Sequence, residues 1–137
     1  ADALLAGVRP SAWPGWHVLQ PVDQLLHCAV HLVMDSELRD RLRDLVDLDG
    51  LLRHFGRDAA FVEALLDRAS TLGLREPLAV AARGCIAWLD TPVPAAAQRV
   101  LAGWEPRGLR RAWLLPMFDA LLTPTDPDRA APWTQSL

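Results

Sequence analysis

The chain has 137 residues, 51% of them apolar, which fits one globular domain with its own core and argues against disorder along its whole length. Its formal net charge is -3 and its basic residues are all Arg. Nucleic-acid-binding domains usually carry clustered basic charge, so we expect no nucleic-acid partner. The sequence has no secretory signal pattern and no run of about 18 apolar residues, so we expect a cytoplasmic protein with no membrane partner.

The N-terminal segment is rich in Pro and Gly, which predicts an irregular lead-in over residues 1–20. Within it we expect a short helix over Asp2–Ala6 and a short strand over Trp16–Leu19. The segment after Thr123 carries three further Pro residues and is predicted to be a surface or flexible tail over residues 123–137.

Six helices are predicted between these ends, from the period of the apolar residues and from capping residues. The first begins at Pro21, which fits the first turn of a helix, and runs to Met34. The second helix is predicted from an N-cap at Ser36 to Gly56, and the third from an N-cap at Asp58 to Gly73. The fourth is predicted from Pro77 to Leu89, and a short fifth helix is predicted to end at Gly103. The sixth is predicted over Leu109–Leu122, with a kink or restart at Pro116. The fold class is therefore all-α, a single helical bundle of about five to six helices over residues 21–122.

A polar stripe is predicted on the first helix, where Asp23, His27, His31 and Asp35 follow one another at intervals of four residues. Each step advances about 40° around a helix of 3.6 residues per turn, so the four side chains lie in one slowly drifting row. The rest of this helix is apolar and therefore suited to burial. Its polar row must be paired internally or must face a cavity or a partner.

Three interpretations of this stripe stay open. Two His four residues apart could share a metal ion, but Cys28 stands where the zinc-protease pattern has Glu, so we assign no metal ligands. The favoured interpretation is Asp–His pairing along the stripe, packed against the next helix. The third is a functional surface that faces another domain.

The second predicted helix carries its own charged faces. Arg43 and Asp47 share one face, whereas Asp44 is assigned to another. The run Asp47-Leu48-Asp49 resembles the Asp-x-Asp metal site of nucleotide-transferring enzymes, which needs both carboxylates on one side. A helix places residues i and i+2 about 200° apart, so we reject a shared ion here.

Three segments in fixed order resemble a known family. They are LQPVDQLLHCAVHL, RLRDLVDLDGLLRHFG and LLDRASTLGLREPLAVAARGCIAWLDTPVP, and they span about Leu19 to Leu101. In this order they resemble the C-terminal helical half of the uncharacterised bacterial nucleotidyltransferase family, part of the DNA-polymerase-β-like superfamily. The N-terminal half of such proteins carries a Gly-Ser turn and an Asp-x-Asp strand. This sequence contains no Gly-Ser dipeptide, and its predicted helices provide no sheet to hold such a strand.

The resemblance implies a helical accessory domain on the acceptor-substrate side of a nucleotidyltransferase-like protein. The candidate interface or substrate-side residues are Asp23, His27, His31, Arg43 and Asp47, and none is assigned a catalytic role. A nucleoside triphosphate and Mg²⁺ are expected as cofactors only where the catalytic half is present, and the first residue, Ala1, suggests that the chain is part of a longer product. The expected partner is that N-terminal half or another protein. The alternative is a non-catalytic module for protein–protein interaction or homodimerisation.

Overall fold

The computed structural model describes residues 7–34 and 41–123, which form a short hairpin and six helices. The hairpin pairs β1 (Val8–Pro10) with β2 (His17–Leu19) in antiparallel register, with Val8 opposite Leu19. The helices are α1 (Pro21–Met34), α2 (Arg41–Phe55), α3 (Ala59–Thr71), α4 (Arg75–Leu89), α5 (Ala95–Trp104) and α6 (Gly108–Leu122). The predicted all-α helical bundle is confirmed.

Helices α1 and α4 form the centre of the bundle. α1 packs against α2, α3 and α4, and it buries Leu25, Leu26, Ala29 and Leu32 with almost no exposed surface. α4 is buried along the run from Leu78 to Ala82, which is rich in Ala. Small side chains on α4 allow its neighbours to approach closely, so the core is built from Leu side chains of the surrounding helices against a narrow central helix.

Neighbouring helices approach α4 closely at Gly84. A Cβ atom at this position would lie 2.9 Å from Cε1 of Phe118 on α6 and 3.2 Å from Cδ1 of Leu45 on α2. Both neighbours are buried core side chains. The absence of a side chain at Gly84 therefore sets how closely α2 and α6 pack on α4.

Several predicted boundaries are confirmed and others are corrected. Asp58 caps α3 as predicted, since its carboxylate accepts a hydrogen bond of 2.9 Å from the backbone N–H of Ala60. α4 begins at Arg75, two residues before Pro77, and α6 continues through Pro116 as one helix. The strand β1 has no counterpart in the sequence-based prediction. The predicted helix over Asp2–Ala6, the Ser36 cap and the tail beyond Thr123 lie outside the described residues.

Among the described residues, none of the helices is both long and apolar enough to cross a membrane.

Candidate functional site

A polar recess lies between α1 and α2 and has a volume of about 200 Å³. Its walls are His27, Cys28 and His31 of α1 together with Asp44 and Asp47 of α2. The spacings explain the arrangement, because residues three or four apart lie on the same side of a helix. The two polar faces meet where α1 and α2 pack side by side.

The two imidazoles of the recess are in direct contact. The ring centroids of His27 and His31 lie 4.3 Å apart in an edge-to-face arrangement. Partial burial lowers the pKa of His27 below its ordinary value, and the neighbouring charge of His31 lowers it further. His27 is therefore neutral at physiological pH, and a neutral imidazole can both donate and accept a hydrogen bond.

The carboxylates of α2 give the recess its negative charge. Burial raises the pKa of the Cys28 thiol, and the charges of Asp47 and Asp44 raise it further. Because the thiolate is the nucleophilic form of cysteine, a raised pKa disfavours Cys28 as a nucleophile at neutral pH. With His27 neutral and two carboxylates present, the recess suits ligand groups that donate hydrogen bonds or carry positive charge.

Asp23 belongs to the same stripe but not to the recess. Its side chain is fully buried and accepts hydrogen bonds from Nε and the terminal nitrogen of Arg68 at 2.9 and 3.2 Å, and from Nε2 of Gln20 at 3.0 Å. Burial alone would raise the pKa of Asp23, but the hydrogen bonds from Arg68 and Gln20 outweigh it and the pKa is lowered. Asp23 therefore joins α1 to α3, and the favoured Asp–His pairing of the stripe is replaced at this position by an Asp–Arg pair.

Arg43 is exposed on α2 and is not one of the residues that line the recess. The structure thus brings together three of the five predicted residues, namely His27, His31 and Asp47. Asp44 is an addition that sequence reasoning missed, because it was assigned to a different face from Asp47. Residues i and i+3 lie only about 60° apart on a helix, and this spacing could have identified it.

The carboxylates of Asp47 and Asp49 have different environments, as predicted for a helix. Asp47 faces the recess, whereas Asp49 accepts hydrogen bonds from Arg53 at 2.8 and 2.9 Å and from Thr91. Arg53 also donates to the carbonyl oxygen of Leu89 at 2.6 Å, so this group ties α2 to the C-terminal end of α4. Within residues 7–34 and 41–123, no three His, Cys, Asp or Glu side chains are placed to hold one metal ion.

Comparison of the sequence with known proteins identifies the family of the chain. The model of a family described as uncharacterised nucleotidyltransferase matches residues 1–90, about two thirds of the chain. The chain belongs to this family. The matched part runs from the N-terminus to the end of α4 and contains the whole recess, whereas α5 and α6 follow it. Neither the curated proteins nor the solved structures gave a match.

Proposed function

We propose that this chain is the acceptor-side helical domain of a nucleotidyltransferase-like protein and that the recess between α1 and α2 contacts the acceptor. The observation that carries the proposal is the exposed pair His27 and His31 facing Asp44 and Asp47, inside the part of the chain that matches the family. Most other side chains of α1 are apolar, and Leu25, Leu26, Ala29 and Leu32 are buried in the core. Polar residues that line such a recess can contact a ligand or a partner domain.

The charge of the recess favours the acceptor over the nucleotide. In nucleotide transfer, an acceptor oxygen forms a bond to the α-phosphorus while the bond to pyrophosphate breaks, and the acceptor hydroxyl loses its proton. A triphosphate is strongly anionic, and Asp44 and Asp47 would repel it unless a metal ion lay between them. Within the described residues no three His, Cys, Asp or Glu side chains are placed to hold such an ion. The nucleoside triphosphate and its Mg²⁺ are therefore assigned to another part of the complete protein, and the recess to the acceptor.

The side chains also indicate the chemical class of the acceptor. Carboxylates accept hydrogen bonds only, and a neutral imidazole adds a further acceptor and a donor. Hydroxyl and ammonium groups satisfy this set, and bonds to the charged carboxylates are the stronger ones. We therefore expect a small polyhydroxylated or amino-bearing acceptor rather than a phosphorylated one.

The test uses the complete protein that the gene encodes. It is incubated with Mg²⁺, each of the four α-³²P-labelled nucleoside triphosphates, and a small-molecule cell extract as the source of acceptor. Labelled products are then separated by chromatography. Asp47→Asn removes one recess carboxylate charge with almost no change in shape. Asp67→Asn is the matched control, because Asp67 is an exposed Asp on α3, away from the recess.

The proposal predicts that Asp47→Asn reduces acceptor labelling at least tenfold, about 1.4 kcal/mol of transition-state stabilisation, and leaves nucleoside triphosphate binding unchanged. Asp67→Asn should retain both. Unchanged labelling in Asp47→Asn would overturn the assignment of the recess. Loss of nucleoside triphosphate binding in that variant would instead place the recess on the nucleotide side. A complete protein without any nucleotide-binding half would rule out the proposal.

A further inference from the structure

Helix α6 is apolar on two opposite faces. One face buries Leu115, Phe118 and Leu122 in the core. The other exposes Leu109, Trp113 and Met117, whose side chains are 90%, 66% and 38% accessible. A helix that is apolar nearly all round is normally buried on all sides. Within residues 7–34 and 41–123, nothing covers the outer face of α6, although its composition is typical of a buried surface.

The outer face is continuous and carries no charge. Going four residues at a time, Leu109, Trp113 and Met117 form one row, and a second row is formed by Ala112, Pro116 and Ala120, all exposed. We refer to these six residues as the α6 outer face. Its apolar area is on the order of 500 Å² if a fully exposed large side chain counts for about 150–250 Å². Contiguous exposed patches of this size often mark interaction sites.

The arginines beside this face do not make it an anion-binding site. Arg110 donates two hydrogen bonds to Oε1 of Glu76, at 3.0 and 2.6 Å, and Arg111 forms an ion pair with Glu105. Both guanidinium groups thus have carboxylate partners within the same chain. A membrane surface or a nucleic acid would have to compete with these partners, so an apolar protein surface is the better match.

The geometry points to a second copy of this chain as the occupant, packed antiparallel on the α6 outer face. The face is complementary in size about the point midway between Trp113 and Pro116, because each large residue on one side corresponds to a smaller residue on the other. Antiparallel pairing about that point sets Leu109 against Ala120 of the second copy, Ala112 against Met117, and Trp113 against Pro116. Each large side chain then meets a small one or a flat ring, which is how facing helix positions fill space without voids.

The area is sufficient for a weak but specific dimer. Two α6 outer faces would together bury about 1,000 Å², the lower limit for a specific protein interface. A two-fold axis places the same patch on both subunits, so the assembly closes at two copies. We expect a dissociation constant on the order of tens of micromolar, since small interfaces must still offset the loss of translational freedom.

The first experiment is sedimentation velocity of the whole chain from about 1 to 500 μM, a range that brackets this affinity. The parent chain should shift from monomer to dimer. Trp113→Glu should raise the dissociation constant at least tenfold. Trp16→Glu is the matched control, because Trp16 is an equally exposed Trp (73%) in the turn of the hairpin. Circular dichroism checks that both variants keep their helix content.

A second experiment tests the antiparallel register by disulfide trapping. Leu109→Cys and Ala120→Cys are prepared separately, both in a Cys28→Ser background, and then mixed under mild oxidation. In the proposed dimer Leu109 faces Ala120 of the second copy. Two identical positions lie about 16 Å apart along the helix axis, too far for a disulfide. The mixture should therefore cross-link, and each variant alone should not.

A monomer across the whole concentration range would overturn the proposal. So would dimerisation that survives Trp113→Glu, or cross-linking of single variants in place of the mixture. If the chain becomes dimeric only after residues 124–137 are removed, that segment covers the α6 outer face in the whole chain and keeps a second copy from binding there. This result would also overturn the proposal. The inference does not depend on the role of the recess, since it concerns α6 alone and is measured without substrate.

Discussion

Replacing Arg68 with Leu should expose how much the fold depends on the buried carboxylate of Asp23. Asp23 has no accessible surface, and its two oxygens receive hydrogen bonds from Arg68 and Gln20. Arg68→Leu removes the only one of these two partners that carries a charge. The remaining hydrogen bond from the Gln20 amide cannot neutralise a carboxylate in the interior.

The size of the effect follows from removing one partner of a buried ion pair. Such a change usually costs about 3–5 kcal/mol, because an unpaired charge is left in the interior. The side chain of Arg68 is 25% accessible, so water can partly replace it and we expect about 2–4 kcal/mol. This is a large share of the roughly 5–15 kcal/mol that stabilises a typical domain.

The loss should depend on pH in a definite direction. In the parent chain the pKa of Asp23 is lowered, so the pair contributes stability above the ordinary pKa of Asp and loses it as pH falls through the folded-state value. Without Arg68, burial would be the dominant cause and would raise the pKa of Asp23 above its ordinary value. Asp23 would then take up a proton on mild acidification, and the difference between variant and parent should shrink.

Urea unfolding at pH 7 and at pH 4.5, followed by circular dichroism, measures both the size and the pH dependence. The double variant Asp23→Leu/Arg68→Leu is the control, because an apolar pair avoids an unpaired buried charge and should recover much of the loss. A cost below about 1 kcal/mol at pH 7 would refute this reasoning. So would an equal cost at both pH values.

Two further predictions concern the recess and the core. In ¹H–¹³C spectra His27 should titrate below its ordinary pKa, and His31→Gln should raise that pKa only in part, because burial is the larger cause. The free energy of unfolding should fall as pH drops through about 6.5, since the imidazole of His27 binds a proton more tightly in the unfolded chain. Gly84→Ala should destabilise the fold by about 1–3 kcal/mol in thermal unfolding, because the added methyl meets core side chains, whereas Gly50→Ala, with open space around it, should stabilise by up to about 1 kcal/mol. Titration of His27 at its ordinary pKa, or equal changes in stability for Gly84→Ala and Gly50→Ala, would contradict these expectations.

Local signals in the sequence predicted most of the helix boundaries. Pro21 begins α1 and Asp58 caps α3, and each acts through contacts within a few residues. The same local rules failed for α4, where helix formation starts before Pro77 because the chain has already turned at Gly73, which has φ of +71°. They also gave no sign of β1, which ends at Pro10 within the segment that is rich in Pro and Gly.

The candidate site was predicted in part, for a physical reason. His27 and His31 are on one face because they are four residues apart, and no tertiary knowledge is needed to place them together. The partner of Asp23 is 45 residues away on another helix, and such a pairing depends on how α1 and α3 pack. Periodicity therefore identified the polar stripe, but packing decided that Asp23 is buried while the two His face α2.

The role of the recess in binding the acceptor can be tested with the crystal structure of the complete protein with Mg²⁺ and a non-hydrolysable nucleoside triphosphate analogue. If the recess contacts the acceptor, His31 and Asp47 will line the same cleft as the α-phosphorus of the analogue, on the side from which an acceptor would attack. A recess that faces away from the nucleotide, or one filled by another part of the protein, would contradict it.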